Sequence, residues 1–532
     1  MKGADRLVAT LGELGVTHVF TNPGTTELEL VRSLEASSSV TPVLVTQELV
    51  ATGAADGFGR ICGVGVALLH LGPGFSNGAA FVHDARRAGT PMLVIVGEHP
   101  KAHLDLDAPL NTDVAAIMGP FCVAVMKIDD GARVASVIGE AYACAQRLRG
   151  PVGVIAPQDV MMSEFGEAAR AASPERRGTG DSCEDGSALN RARMAGDTAE
   201  AVIPSREQLG DDPVLLVGSM ALSGVGLAYA TKIASHLGAR LYAEVFPALM
   251  ERGNDTPCIP RLPYFPDQAR ALIGEPSAVV FIGAVEPLAY FAEVDRSASL
   301  IPRTTPRLHL APPGVCVDGI LSRWAKNLGC EGDGVDGLGV AESTPVPPLQ
   351  FGSDERLNVD RLGFIFARAI QSGDVVVDEG RTSSASAYRY SALAPHHRYL
   401  GHPGGAIGGG LALALGAAVA TRARVRALVA DGGALYAPQA LWTMARLGLP
   451  VGVVIAANDG YRILRLEMQA RGIEPVSDEL TRFAAPTVDY VALAAAFGVE
   501  GFWARTVGEL DAILGAQRDR NDPFLVVAEL VD

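Results

Sequence analysis

Two polar clusters, each closing an apolar run, carry residue types that could do chemistry. Toward the C-terminus, Ala430-Asp431-Gly432-Gly433 ends one run, and Asn458-Asp459-Gly460, beginning 27 residues after Asp431, ends the next. A strand-helix-strand unit of that length lays the two ends side by side, at the carboxyl edge where open α/β sheets bind ligands. A carboxylate, an amide oxygen and a loop carbonyl are hard oxygen donors suited to magnesium, which keeps its remaining positions for water and phosphate oxygens. Gly432 and Gly433 let the backbone approach a phosphate at the N-terminus of the following helix. An isolated Asp-Gly-Gly reads as a strand end capping a helix; the paired spacing turns the reading toward an anion and its metal.

Toward the N-terminus, Val43-Leu44-Val45-Thr46-Gln47-Glu48 runs from a strand into a helix that starts with a glutamate. An acid in a first turn is commonplace, because the helix dipole favours it. When partly desolvated, such a carboxyl shifts toward the range of a proton shuttle. His70 closes the run Val64–Leu69 and precedes Leu71-Gly72-Pro73-Gly74; at a strand end it reads as a structural residue or as a proton carrier. A turn, Gly404-Gly405-Ala406-Ile407-Gly408-Gly409, opens the most apolar stretch of the chain, through Thr421. That stretch falls short of the roughly 20 residues a membrane span needs, so it is expected to be a buried helix. His99, His103, His396, His397 and His402 read as loop residues, with His402 closest to the glycine turn.

The elements that must hold these residues fall into three α/β blocks. In the first, Val16–Phe20, Val43–Thr46, Val64–His70, Met92–Val96 and Val152–Ala156 are continuous apolar runs, expected as strands of a parallel sheet buried on both faces. In the second, Pro213–Val217, Arg240–Val245 and Ala278–Ile282 alternate with helical patterns at Leu222–His236 and Pro266–Ile273. The third has strands at Val375–Asp378, Val425–Ala430, Val451–Ala457 and Phe524–Leu530. Stretches rich in Gly, Asp, Ser or Pro separate the blocks and read as linkers.

A length of 532 residues suggests about three to four folding units. With 48% hydrophobic and 20% charged residues the chain is globular, which excludes wholesale disorder. Lys and Arg number 44 against 60 Asp and Glu, and the net charge of -16 repels a phosphate backbone, so no nucleic-acid partner is expected. The 7 cysteines form no CxxC spacing, which fits a reducing cytoplasm. The N-terminus has no apolar core of a signal peptide, so no membrane association is expected.

The segment from Ala430 to Gly460 resembles the cofactor motif of thiamine-diphosphate enzymes, written GDG and, one strand-helix-strand unit later, NN. Ala430 and Ala457 stand where the first glycine and the first asparagine are usual. The resemblance implies that Asp431, Asn458 and the Gly460 carbonyl hold Mg2+. It also implies that Gly432, Gly433, Tyr461 and Thr382, in Glu379-Gly380-Arg381-Thr382-Ser383, lie near the diphosphate. Glu48, with Ala54-Ala55-Asp56-Gly57-Phe58 and the turn Asn22-Pro23-Gly24-Thr25, is similar to the family's glutamate, which hydrogen-bonds the aminopyrimidine and promotes loss of the thiazolium C2 proton. By the same resemblance Ile407 props the cofactor into its V shape and Gly405 offers a carbonyl to the aminopyrimidine. His70 matches an active-site histidine of benzoylformate decarboxylase. Gly72-Pro73-Gly74 and Asn77 look instead like acetolactate synthase, and Thr25, Gly72 and Asn77 are the implied substrate-facing residues. No histidine occurs around Ala284–Phe291, where benzoylformate decarboxylase has its second.

The implied fold is α/β, three doubly wound parallel-sheet domains of the pyruvate decarboxylase and acetolactate synthase type. Residues 1–165 would bind the aminopyrimidine, 166–211 would be a flexible linker, 212–340 a central domain, 341–355 a second linker, and 356–532 would bind the diphosphate. Both end domains would be six-stranded and parallel, with the site shared between subunits of a homodimer or homotetramer. The implied activity is decarboxylation of a 2-oxo acid to a C2-enamine. Protonation then releases an aldehyde, or attack on an aldehyde or second oxo acid gives a hydroxy ketone. Acetolactate synthase proper is one alternative; it usually carries FAD, which no motif here requires, and FAD is left open. A cofactor-binding homologue with weak turnover and a regulatory or structural role is another, motivated by Ala430 and Ala457.

Overall fold

The computed structural model describes residues 1–165, 202–291, 296–330, 350–474, 477–483 and 486–531; most of both expected linkers lie outside the described residues. The first sheet has strands β1 (His18–Thr21), β2 (Thr41–Leu44), β3 (Gly65–His70), β4 (Met92–Glu98), β5 (Ala124–Lys127) and β6 (Pro151–Pro157), all parallel, in the order β2-β1-β3-β4-β6-β5. The next segment supplies β7 (Pro213–Val217), β8 (Arg240–Ala243), β9 (Met250–Arg252), β10 (Ala278–Ile282) and β11 (Arg307–Ala311). Four of these make a parallel sheet, β11-β10-β7-β8.

The third sheet contains β12 (Val375–Glu379), β13 (His397–Leu400), β14 (Val425–Ala430), β15 (Val451–Ala457), β16 (Glu500–Ala504) and β17 (Phe524–Glu529). Its order is β16-β17-β15-β14-β12-β13-β9, so it has seven strands rather than the expected six. The seventh, β9, comes from the middle segment and pairs antiparallel with the edge strand β13, tying the two units together. The three-sheet α/β architecture is that expected from the apolar runs. Strands such as β4, β6 and β15 are buried at every position, the signature of a sheet covered on both faces.

The end units meet through two helices, α1 (Glu48–Cys62) and α4 (Gly409–Thr421). Glycine permits the close approach. A Cβ at Gly57 would lie 2.2 Å from the Leu413 carbonyl oxygen, and one at Gly416 would lie 1.9 Å from that of Ala54. Val50, Phe58 and Phe81 of the first unit and Leu411 and Leu415 of the third join one apolar core. α4 is buried on all sides of its length, as expected of its composition. The cores on either side of this seam fix where the strand ends of the two sheets face. Among the described residues no helix is long and apolar enough to cross a membrane.

Candidate active site

At the carboxyl end of the first sheet, β1, β2 and β3 deliver one cluster. The Gln47 side chain caps α1 by accepting from the backbone N–H groups of Leu49 and Val50, which sets Glu48 at the first helical position. Asn22, from the turn after β1, donates its amide to Glu48 Oε1 at 3.0 Å. Asn77 donates to Glu48 Oε2 at 3.3 Å from the helix α2 (Leu71–Ala88), which starts directly after His70. His70 Nδ1 lies 2.8 Å from Oε2 of Glu27, a carboxylate fully buried under it, and 3.0 Å from the Thr26 hydroxyl. The hydrogen bond to Glu27, opposed by burial and aided by the charges of Glu27 and Glu48, raises the His70 pKa above the usual histidine value.

Glu27 was not singled out by sequence, because an acid after Thr25-Thr26 reads as an ordinary helix-start residue. The one available signal was its place in the same strand-end turn as Asn22. Thr25, expected near the substrate, is exposed, and its neighbour Thr26 is the threonine turned to His70. Gly72 is buried; a Cβ there would sit 1.7 Å from the Thr112 hydroxyl, so its lack of a side chain makes room for the loop after β4.

The second cluster lies at the carboxyl end of the third sheet. Asp431 is buried; its Oδ1 accepts from the Gly432 N–H at 2.8 Å, and its Oδ2 accepts from Asn458 N–H at 2.9 Å and Gly460 N–H at 3.2 Å. Burial pushes the carboxyl up despite these three bonds. The Tyr490 hydroxyl holds the Asp431 carbonyl at 3.2 Å. The Asn458 side-chain oxygen is buried beside this carboxylate with no hydrogen-bond partner. The Gly460 carbonyl accepts from Arg462 N–H at 3.0 Å and keeps one lone pair free. An orphaned amide oxygen, a desolvated carboxylate and a carbonyl form an all-oxygen donor set, and the residues present therefore fit a hard divalent cation. Tyr461 packs over Gly432, leaving no room for a Cβ there.

The glycine turn is held from two directions. Glu379, fully buried at the end of β12, accepts from the backbone N–H groups of Gly408 and Gly410. Arg381 donates to the Ala406 carbonyl at 3.0 Å and, at 3.4 Å, to that of Gly405, the oxygen expected to face the aminopyrimidine. From α2, Asp84 accepts the Ala406 N–H at 3.1 Å and His83 Nε2 meets the Gly404 carbonyl at 3.3 Å. His402 is not a loop residue in solvent. It is buried, with Nδ1 3.5 Å from Asp84 Oδ2. Ile407 is left 37% exposed at the tip of the turn. Thr382 lies in the short turn Arg381–Ser383, directly after β12.

Leu71 (φ 54°), Arg381 (φ 51°) and Asp459 (φ 54°) are non-glycine residues in the left-handed region, and each lies just beyond a strand end in one of these clusters. Backbone strain of this kind persists where surrounding structure over-determines it, as at ligand sites. In the middle unit, the N-terminus of α3 (Gly224–Leu237) receives a carboxylate of its own chain, Glu251 Oε2 at 2.8 Å from Gly224 N–H.

Residues 1–117 match the family model described as thiamine pyrophosphate enzyme, N-terminal TPP binding domain. Residues 378–528 match the corresponding C-terminal TPP binding domain. A Mycobacterium tuberculosis (strain H37Rv) protein provisionally named acetolactate synthase large subunit IlvX is 35% identical over 537 residues, covering 99% of this chain and 98% of its own. The acetolactate synthase large subunit of Parasynechococcus marenigrum is 27% identical, over 94% of this chain and 83% of that one. Among solved structures, the Rhodococcus jostii thiamine diphosphate-dependent 4-hydroxybenzoylformate decarboxylase superposes over 100% of this chain and 99% of its own, with a TM-score of 0.79 at 21% identity. Benzoylformate decarboxylase from Polynucleobacter necessarius gives 0.76 at 19% identity, over 100% of this chain and 99% of that one. With a binding domain matched at each end and a relative alike over its full length, the chain belongs to the thiamine pyrophosphate enzyme family.

Proposed function

We propose that the protein decarboxylates a 2-oxo acid with thiamine diphosphate and Mg2+, and that it completes the reaction by protonation, releasing an aldehyde. The observation that carries this reading is the Glu27–His70 pair beside Glu48. A histidine whose pKa is raised by a buried carboxylate holds its proton to higher pH than a free one and could deliver it from Nε2 while Glu27 holds Nδ1. Thiamine diphosphate, when bound, supplies the electron sink for carbon dioxide loss. The residues of this chain bind and orient around it. Asp431, Asn458 and the Gly460 carbonyl would hold Mg2+, with Gly432, Gly433, Thr382 and Tyr461 facing the diphosphate. Gly405 and Ile407 would face the rings. Glu48 would exchange a proton with the aminopyrimidine, kept in place by Asn22 and Asn77.

A second reading, ligation of a second oxo acid, is favoured by the acetolactate synthase names of the curated relatives. The two are separated by supplying purified protein with cofactor, Mg2+ and a panel of 2-oxo acids, and measuring carbon dioxide, aldehyde and hydroxy ketone. Aldehyde in step with carbon dioxide supports the first reading. Hydroxy ketone as the main product would transfer it to the second, and no turnover with bound cofactor would leave a binding protein.

We further propose a homodimer or a homotetramer in which a second copy covers both clusters. Leu28, 62% exposed, stands beside Glu27, and Ile407, Leu435 and Tyr436, each at least 37% exposed, flank the glycine turn and Asp431. Light scattering on the eluted protein tests it; a monomer at micromolar concentration with full activity refutes it.

A further inference from the structure

The middle unit has the form of a nucleotide-binding sheet, and its own chain fills the nucleotide's place. In an open parallel sheet a dinucleotide lies across the carboxyl ends where the strand order reverses, with its diphosphate on the N-terminus of the helix after the first strand. Here the order β11-β10-β7-β8 reverses between β10 and β7, and that helix is α3. FAD, which the resemblance to acetolactate synthase left open, would need this crevice. The loop after β7 lacks the glycines for so close an approach: Gly218 stands first, but Met220 and Ser223 hold the second and third glycine positions of G-x-G-x-x-G. The strand ends also close on each other, since a Cβ at Gly218 would lie 2.0 Å from the Gly283 carbonyl oxygen, just beyond β10.

Residues 244–251 run along this loop as a strap, bonded over its length. Glu244 N–H donates to the Val217 carbonyl at 3.1 Å, Ala248 N–H to the Ser219 hydroxyl at 2.8 Å, and Glu251 N–H to the Leu222 carbonyl at 2.8 Å. Gly224 N–H in turn donates to Glu251 Oε2 at 2.8 Å, which sets a carboxylate on the N-terminus of α3 where a diphosphate would sit. Asp318, at the start of the helix Asp318–Asn327, adds another: a Cβ at Gly226, in the first turn of α3, would lie 3.0 Å from its Oδ1. From the other flank Arg149 of the first unit donates to Met220 Sδ at 3.6 Å and covers Gly314, after β11, where a Cβ would lie 2.8 Å from its Cγ. The strap is anchored beyond the middle unit: its far end is in β9, paired with β13 of the third sheet, and Arg60 of α1 holds the Ala248 carbonyl at 3.2 Å.

We infer that the middle unit is closed to FAD and that the protein works without a flavin, the strap 244–251 standing where the dinucleotide would cross the sheet. The Glu251 and Asp318 carboxylates repel a diphosphate, and the Gly224 N–H that would receive it is already bonded. The inference goes beyond the decarboxylase reading and does not depend on it. Were a hydroxy ketone the product, the protein would be a ligase that needs no flavin.

The test uses the whole protein loaded with thiamine diphosphate and Mg2+. As purified it should show no flavin absorbance. FAD at about 0.1 mM should keep its full fluorescence and shift the melting temperature by less than about 1 °C. Carbon dioxide release from the 2-oxo acid panel should be the same with and without it. Flavin that copurifies near one per chain, a saturable quench of flavin fluorescence, or a melting temperature raised by several degrees overturns the inference, whatever the product of turnover. If no acid is turned over, the decarboxylase reading fails separately and the binding measurements decide this one. Glu251→Ala, at a partly exposed position, frees the Gly224 N–H and leaves the backbone of the strap in place. Flavin should stay unbound in that variant too, and flavin binding to it refutes the strap as the barrier.

Discussion

The clusters at the ends of the first and third sheets are built by opposite means on the same architecture. Around Glu48 and His70 the bonds run from side chain to side chain: Asn22 and Asn77 to Glu48, Thr26 and Glu27 to His70. Around Asp431 they run from carboxylate to backbone, with three N–H groups on one side chain and a tyrosine on its carbonyl. A site that moves protons needs titratable groups whose partners can trade them, and paired side chains provide that. A site that holds a metal and a diphosphate needs oxygens that do not move, and a carboxylate strapped to the main chain provides that. On the function proposed above, turnover would fall to the first cluster and cofactor affinity to the second.

Four substitutions can break or sharpen this contrast. Glu48→Gln should cost the most, lowering kcat by about 10²–10⁴-fold. Calorimetry should find cofactor affinity in that variant changed much less; an equal loss of affinity would erase the distinction. Asp431→Ala should act the other way, weakening Mg2+-dependent binding of thiamine diphosphate by at least about 100-fold, with the orphaned Asn458 oxygen losing its neighbour. Binding that is unchanged in this variant would remove Asp431 from the metal site.

Glu27→Gln is predicted to be milder and pH-dependent. Removing the carboxylate that raises the His70 pKa lets it fall, so if turnover needs protonated His70 the alkaline limb of kcat moves to lower pH. The same pair stabilises the fold below the ordinary histidine value of 6.5, and that contribution disappears as pH rises through the raised value. Melting temperatures of wild type and Glu27→Gln should therefore differ at pH 5.5 and converge at high pH. Parallel curves would mean that Glu27 does not bear on His70. The smallest effect is expected from Asp84→Asn, which weakens the strap on the Ala406 N–H; a loss of a few-fold in cofactor affinity with kcat kept would class the glycine turn with the affinity cluster.

Much of this was legible along the chain because parallel strands buried on both faces are uninterrupted apolar runs, and their carboxyl ends mark where ligands bind. The strands that escaped notice, β5, β9, β11, β13 and β16, are edge or short elements with mixed burial and no such run. Asp431 and Asn458 were legible because one crossover fixes their spacing. Glu27 was not, since its chemistry comes from a histidine 43 residues away. His402 looked like a loop histidine and is buried against Asp84, which belongs to the other end of the chain.

Local order alone determined the three α/β blocks, the strand ends that carry Glu48, His70, Asp431 and Asn458, and the acidic, globular character of the protein. These follow from hydrophobic period and near-neighbour spacing, which depend on residues within one strand-helix-strand unit. Tertiary structure decided what packs between distant segments: the Gly57 and Gly416 seam, the seventh strand, and the Glu27–His70 pair. Each joins residues far apart in the chain, and no periodicity encodes such contacts. They exist only once burial of the three cores has brought the sheets together.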